Sequence, residues 1–221
     1  MTIKVLLADD EALVRAGLRL VIETAPDLQV AGEAADGAEA AQLVQKMNPD
    51  VILLDVQMPI ADGIEATRRI VQSGSPTKVL ILTTFGHDNY LYQAMKAGAA
   101  GYLLKSSPPE QLVNAVRVVA NGDSLLAPEL TRRLIDQYTS TPRPGQAPKQ
   151  FESLTEREND VLLLVASGQS NTEIATELFV AESTVKSHIN KILTKLDARD
   201  RVQLVIQAYE SGLIQPGSNR P

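Results

Sequence analysis

Four strand-like runs in this chain each end on residues capable of chemistry. Ile3-Lys4-Val5-Leu6-Leu7-Ala8 ends on two adjacent acids, Asp9 and Asp10, and Val51-Ile52-Leu53-Leu54 ends on Asp55. Val79-Leu80-Ile81-Leu82 ends on Thr83, and Gly101-Tyr102-Leu103-Leu104 ends on Lys105. Carboxylates suit Mg²⁺, which takes one or two of them together with water and phosphate oxygens. An ionised aspartate can attack phosphorus, but its charge repels an anionic phosphodonor, and a bridging Mg²⁺ removes that repulsion. On this reading Asp55 is the nucleophile, Asp10 and Asp55 hold Mg²⁺ directly, Asp9 acts through water, and the carbonyl of Gln57 completes the set. Lys105 neutralises phosphoryl oxygens, and Thr83 donates a hydrogen bond to one of them.

Singly, each of these residues has a commonplace explanation. Acid pairs after strands cap helices, a threonine hydroxyl finds a loop partner, a lysine is solvated, and Tyr102 within an apolar run is ordinarily core. His87 and His188 have no neighbouring histidine or cysteine, so neither reads as a metal ligand. The joint pattern carries the argument, and it needs a scaffold that gathers strand ends. A parallel sheet does this, because all its strands finish on one edge.

Residues 1–122 have the required alternation. Strands are expected at 3–8, 28–33, 51–55, 79–83 and 101–104, separated by helix-like segments. Asp36-Gly37-Ala38-Glu39 and Asp62-Gly63-Ile64-Glu65 place a capping acid three residues before Glu, and Pro108-Pro109-Glu110 opens the last helix of the region. Five β–α units predict a doubly wound α/β fold, a five-stranded parallel sheet with helices on both faces. A helix over 128–138 and a Pro-rich linker through Lys149 make 123–150 a connecting segment.

Residues 151–214 read as a small all-α domain of four helices, followed by a tail over 215–221. Thr155-Glu156-Arg157-Glu158 and Ser170-Asn171-Thr172-Glu173 are capping boxes, a longer helix runs from Glu182 to Leu196, and Gly212 stops the last one. Two helices joined by a tight turn, the second of them basic, fit a helix-turn-helix.

Bulk properties restrict what such a chain can do. The 221 residues are 44% hydrophobic, contain no cysteine, and include no apolar run near the roughly 20 residues of a membrane span. Met1-Thr2 leads directly into a strand pattern, so a cytoplasmic protein without membrane contact is expected. The net charge of −6 opposes nucleic-acid binding by bulk attraction, and residues 151–221 carry seven Lys/Arg against ten Asp/Glu. DNA contact therefore requires a local basic face. The segment 182–196 supplies one, with Lys186, Lys191 and Lys195 against the single acid Glu182. Val185, Ile189, Ile192, Leu193 and Leu196 form its apolar stripe, which turns Lys186, Ser187, Asn190 and Lys191 outward. Lysine can contact phosphate or guanine and asparagine can pair with adenine, while Ser183 and Thr184 suit phosphate at the helix start.

Residues 3–122 resemble the receiver domain of two-component response regulators. The likeness rests on Asp9-Asp10, Asp55 with Met58-Pro59 and Asp62-Gly63, Thr83, and Tyr102-Leu103-Leu104-Lys105. Residues 152–214 resemble the LuxR-type helix-turn-helix domain through Leu154-Thr155-Glu156-Arg157-Glu158, Asn171-Thr172-Glu173-Ile174-Ala175 and Ser183-Thr184-Val185-Lys186-Ser187-His188. Together they resemble the NarL/FixJ class. The resemblance implies that a histidine kinase phosphorylates Asp55, that Thr83 and Tyr102 shift in response, and that a homodimer binds double-stranded promoter DNA. It also makes Val202, Leu204, Val205 and Ala208 of the last helix a candidate dimer surface, with packing inside the bundle as the alternative for part of that stripe. Asn190 stands where several relatives carry a basic residue, so their base preference does not transfer. A phosphoaspartate hydrolase of the haloacid dehalogenase type is the competing class. It needs a second aspartate two residues after the nucleophile, and Gln57 stands there.

Overall fold

The computed structural model describes residues 2–84, 88–122, 151, 153–211 and 213, with the side chains of 88 and 89 left out. The chain divides into two compact units, 1–125 and 126–221, and each is described by itself.

In the first unit, β1 (Ile3–Ala8), β2 (Leu28–Ala34), β3 (Val51–Asp55), β4 (Lys78–Thr83) and β5 (Gly101–Leu104) form one parallel sheet in the order β2-β1-β3-β4-β5. Its connecting helices are α1 (Ala12–Glu23), α2 (Gly37–Met47), α3 (Gly63–Gln72), α4 (Asp88–Ala97) and α5 (Pro109–Ala120). All five expected strands are present, with β2 and β4 each one residue longer. Burial on both faces makes the central strands continuous apolar runs. Alternate residues Val5, Leu7, Val51, Leu53, Leu80 and Leu82 join Ile22 of α1 and Leu112 and Val116 of α5 in one core. On the other face, α2 packs on α3 and α3 on α4.

Local chemistry sets where several helices begin. Asp36 accepts from the amides of Ala38 and Glu39, and Asp62 from that of Glu65. Gly63 opens α3 because its amide donates to Val56 carbonyl (2.9 Å), and a Cβ there would lie 2.0 Å from the carbonyl oxygen of Asp55. Only glycine lets α3 start this close to the end of β3.

The second unit contains α6 (Glu156–Ala166), α7 (Asn171–Glu177), α8 (Glu182–Lys195) and α9 (Arg201–Glu210). Both capping boxes form: Thr155 and Ser170 accept from the amides of Glu158 and Glu173, whose carboxylates accept in return from the cap amides at 2.8 and 2.7 Å. The core combines Val161, Leu162 and Val165 of α6 with Ile174, Val185, Ile192 and the apolar side of α9. The expected helix at 128–138, the linker, the tail and His87 lie outside the described residues.

Candidate functional site

β1 and β3 are neighbours, and the chain leaves them toward opposite faces of the sheet. A crevice opens at that point beyond the strand ends. It gathers the residues read from the sequence: carboxylate oxygens of Asp9, Asp10 and Asp55 all lie within 4.8 Å of one another. Asp9 and Asp55 are buried, while Asp10 is exposed. Lys105, whose side chain is 12% exposed, reaches Asp9 Oδ2 at 2.6 Å and Asp55 Oδ2 at 3.2 Å. Burial raises the Asp55 carboxyl above the ordinary aspartate range, the Lys105 charge opposes that rise, and the Asp9 charge adds to it. Burial also works to lower the Lys105 ammonium, but its bonds to Asp9 and Asp55 outweigh this and hold it above its ordinary value.

Three carboxylates around one ammonium leave the crevice negatively charged. Hard oxygen donors with excess negative charge fit a divalent ion such as Mg²⁺. Asp9 is engaged by Lys105 and by the Glu11 amide (3.0 Å), Asp55 is engaged by Lys105, and Asp10 is exposed at the mouth of the cluster. Gln57 follows the end of β3 with its side chain exposed. Thr83 is buried, and its carbonyl accepts from the Lys105 amide at 2.7 Å, which ties β4 to β5 beside the crevice. Tyr102 is 1% exposed and lies in register with Ile81, so its ring occupies an inward position.

In the second unit the apolar stripe of α8 is docked, with Val185, Ile189 and Ile192 buried. Ser183, Thr184, Lys186, Ser187, Asn190 and Lys191 are all exposed. Five of these six, all but Thr184, line an open groove of about 590 Å³ together with Thr194 and Lys195.

The family models for the response regulator receiver domain and for bacterial regulatory proteins of the luxR family match residues 5–117 and 152–208. The chain is similar to the transcriptional regulatory protein YxjL of Bacillus subtilis, with 43% identity covering 96% of this chain and 98% of that one. LiaR of the same organism is 41% identical over 96% and 99% of the two chains. This chain is a two-component response regulator. Among solved structures, the response regulator ChrA of a heme-sensing two-component system is 38% identical and covers 96% of this chain and 99% of its own, with a TM-score of 0.53. A receiver followed by a LuxR-type helix-turn-helix makes the protein a DNA-binding regulator of transcription, and this architecture is not that of a classical enzyme. Among the described residues, no helix is long and apolar enough to cross a membrane.

One expectation about the response regulator needs correction. Val202, Leu204, Val205 and Ala208 are each at most 2% exposed, so the stripe proposed as a dimer surface is bundle core. A periodic apolar stripe on a terminal helix looks the same in sequence whether it faces its own domain or a partner. Lys195, at the end of that groove, is also tied inward: its ammonium contacts Glu158 Oε2 at 2.6 Å and the Ser153 carbonyl at 3.0 Å. That contact, with the Thr155 amide and hydroxyl, holds the Glu158 carboxyl down to about 2.

Several supporting contacts have no signal in the sequence. Arg15 donates to the Asp9 carbonyl (2.6 Å) and pairs with Glu33 (3.2 Å), bracing the loop that carries the acid pair. Arg201 on α9 donates to Asn171 Oδ1 at 2.8 Å and to the Gln169 carbonyl, fixing the start of α7. Arg157 donates to the Leu178 carbonyl at 2.9 Å, at the end of that helix. Except for Arg15 to Asp9, each links residues distant in the chain, and an arginine on a helix surface does not reveal such a partner.

Proposed function

We propose that Asp55 is the phosphoryl acceptor of this regulator, and that its phosphorylation controls promoter binding by the C-terminal domain. The observation that carries this reading is the convergence of Asp9, Asp10 and Asp55 within 4.8 Å around Lys105. Asp55 is the acid that ends β3 and faces both the ammonium and the metal-binding carboxylates. An Oδ of ionised Asp55 attacks the phosphorus of a phosphohistidine on the cognate sensor kinase. The P–N bond breaks, its electron pair stays on the imidazole, and an acyl phosphate forms on Asp55. Asp10, Asp55 and the Gln57 carbonyl, with Asp9 through water, would hold Mg²⁺, which would supply charge neutralisation at the phosphoryl oxygens. Lys105 pairs with one phosphoryl oxygen and the Thr83 hydroxyl donates to another. Thr83 and the Tyr102 ring are the packed elements that this new charge biases. Gln57 cannot serve as an acid, so the aspartyl phosphate is lost slowly by autodephosphorylation and the domain turns over no outside phosphoester.

The output is carried by Ser183, Thr184, Lys186, Ser187, Asn190 and Lys191, which enter the major groove of double-stranded promoter DNA. Phosphorylation favours a homodimer that binds two half-sites spaced to match its symmetry. The working boundaries are a receiver over 1–122, a connecting segment over 123–150, a DNA-binding domain over 151–214 and a tail over 215–221, acting in the cytoplasm. The test is incorporation of phosphate from acetyl phosphate with Mg²⁺, read as intact mass. Wild type gains one phosphoryl group and Asp55→Asn gains none, with unchanged circular dichroism. Equal incorporation by both proteins overturns the assignment of Asp55.

A further inference from the structure

Glu182 is the only acid on α8, and it heads the row Glu182, Lys186, Asn190, whose four-residue spacing stacks the side chains along one line of the helix. Both of its oxygens are engaged. Oε2 accepts from the Thr172 hydroxyl of α7 at 3.3 Å, and Oε1 lies 3.6 Å from Lys186 Nζ. The Glu182 and Lys186 side chains remain about half exposed, at 49% and 50%. The carboxylate therefore lies beside Lys186, one of the three lysines that line the groove.

For affinity alone this is a poor choice. A carboxylate beside the reading face repels every phosphate backbone it approaches, whatever the sequence. The same group is the acceptor that pairs with the cytosine N4 amino group, as lysine pairs with guanine O6 and N7. Where a base edge offers only acceptors, a carboxylate brought against it loses its water and gains nothing. We propose that Glu182 is a specificity-determining residue whose carboxylate, fixed by Thr172 and Lys186, selects a cytosine amino group beside the base that Lys186 reads. This inference rests on the exposed face of α8 entering the major groove.

The experiment is selection from random-sequence duplexes with the full-length protein, Mg²⁺ and beryllofluoride present throughout. Wild type, Glu182→Gln and Lys186→Ala are compared at one salt concentration, and their melting temperatures are recorded. One position of the wild-type half-site is expected to be cytosine, and Glu182→Gln is expected to relax that position alone while its melting temperature stays within a degree or so. The preference for selected over mixed-sequence DNA is expected to fall on the order of tenfold, mostly through tighter binding to mixed sequence. Selection of the same sequence by wild type and Glu182→Gln overturns the proposal. A parallel loss of melting temperature and of affinity for every duplex also overturns it, by assigning Glu182 to holding α7 against α8. Lys186→Ala separates the two levels. If it leaves affinity unchanged, the DNA face itself is misassigned; if it weakens binding while Glu182→Gln selects the wild-type sequence, only the role of Glu182 falls.

Discussion

Lys105 approaches Asp9 to 2.6 Å and Asp55 to 3.2 Å with its side chain almost wholly buried, so it offsets two carboxylates that would otherwise face each other with little solvent between them. Lys105→Met is expected to lower receiver stability by about 3 kcal/mol, since removing one partner strands buried charge. The same variant leaves the crevice more negative, so added Mg²⁺ should raise its melting temperature more than it raises that of wild type. Calorimetric scans with and without MgCl₂ check both points, and equal Mg²⁺ shifts would show that Lys105 and the metal do not compete for the same charge. At this scale the sequence was legible because a parallel sheet puts strand-terminal residues together whatever joins them. Asp55, Lys105 and Thr83 were found that way. Arg15 was not, because its partner is a backbone carbonyl and nothing in the residue type at position 9 announces one.

At the scale of elements, start signals carried most of the information. Asp36, Asp62, Thr155 and Ser170 all cap the helices that their spacing predicts. α1, α5 and α8 start without a side-chain cap, at Glu11, Pro108 and Ala181, and α1 is held by packing and by Arg15 and Arg19 on Glu33. The apolar stripe of α9 was misread, and the Glu158 contact of the last lysine of α8 was missed, for one reason: both meet partners on α6, dozens of residues away. Glu158 and Lys195 couple these helices, and the coupling has a sign. Its carboxyl lies at about 2 in the folded domain against an ordinary 4.5, so the stabilisation is complete above 4.5 and is lost as pH falls toward 2. Lys195→Met should therefore cost about 1–2 kcal/mol at neutral pH, the range of a hydrogen bond to a charged group on a partly exposed lysine. The gap between wild type and variant should close on acidification. Melts at pH 7 and pH 3 measure it, and a gap independent of pH would remove the ion pair from the account.

For the whole molecule, charge and architecture make complementary demands. A chain of net charge −6 gains little from bulk attraction to DNA, so on the proposed function binding would depend on the local groove around Lys186 and on engaging two half-sites at once. On the function proposed above, affinity would follow whether two copies come together, and Asp55 would be the residue through which an outside signal sets that state. The two-unit organisation was legible from the end of the strand–helix alternation at residue 122, close to the division at 125. The assembly surface was not, because the stripe on α9 that resembled one is core. The most direct test is fluorescence anisotropy of a selected duplex titrated with full-length protein at fixed salt and Mg²⁺, with and without beryllofluoride, for wild type and Asp55→Asn. Beryllofluoride is expected to tighten wild-type binding about tenfold or more, as a typical coupling between sites would, and to leave Asp55→Asn unchanged. Identical wild-type curves in both conditions, or an equal gain in Asp55→Asn, would contradict the claim that phosphorylation of Asp55 controls DNA binding.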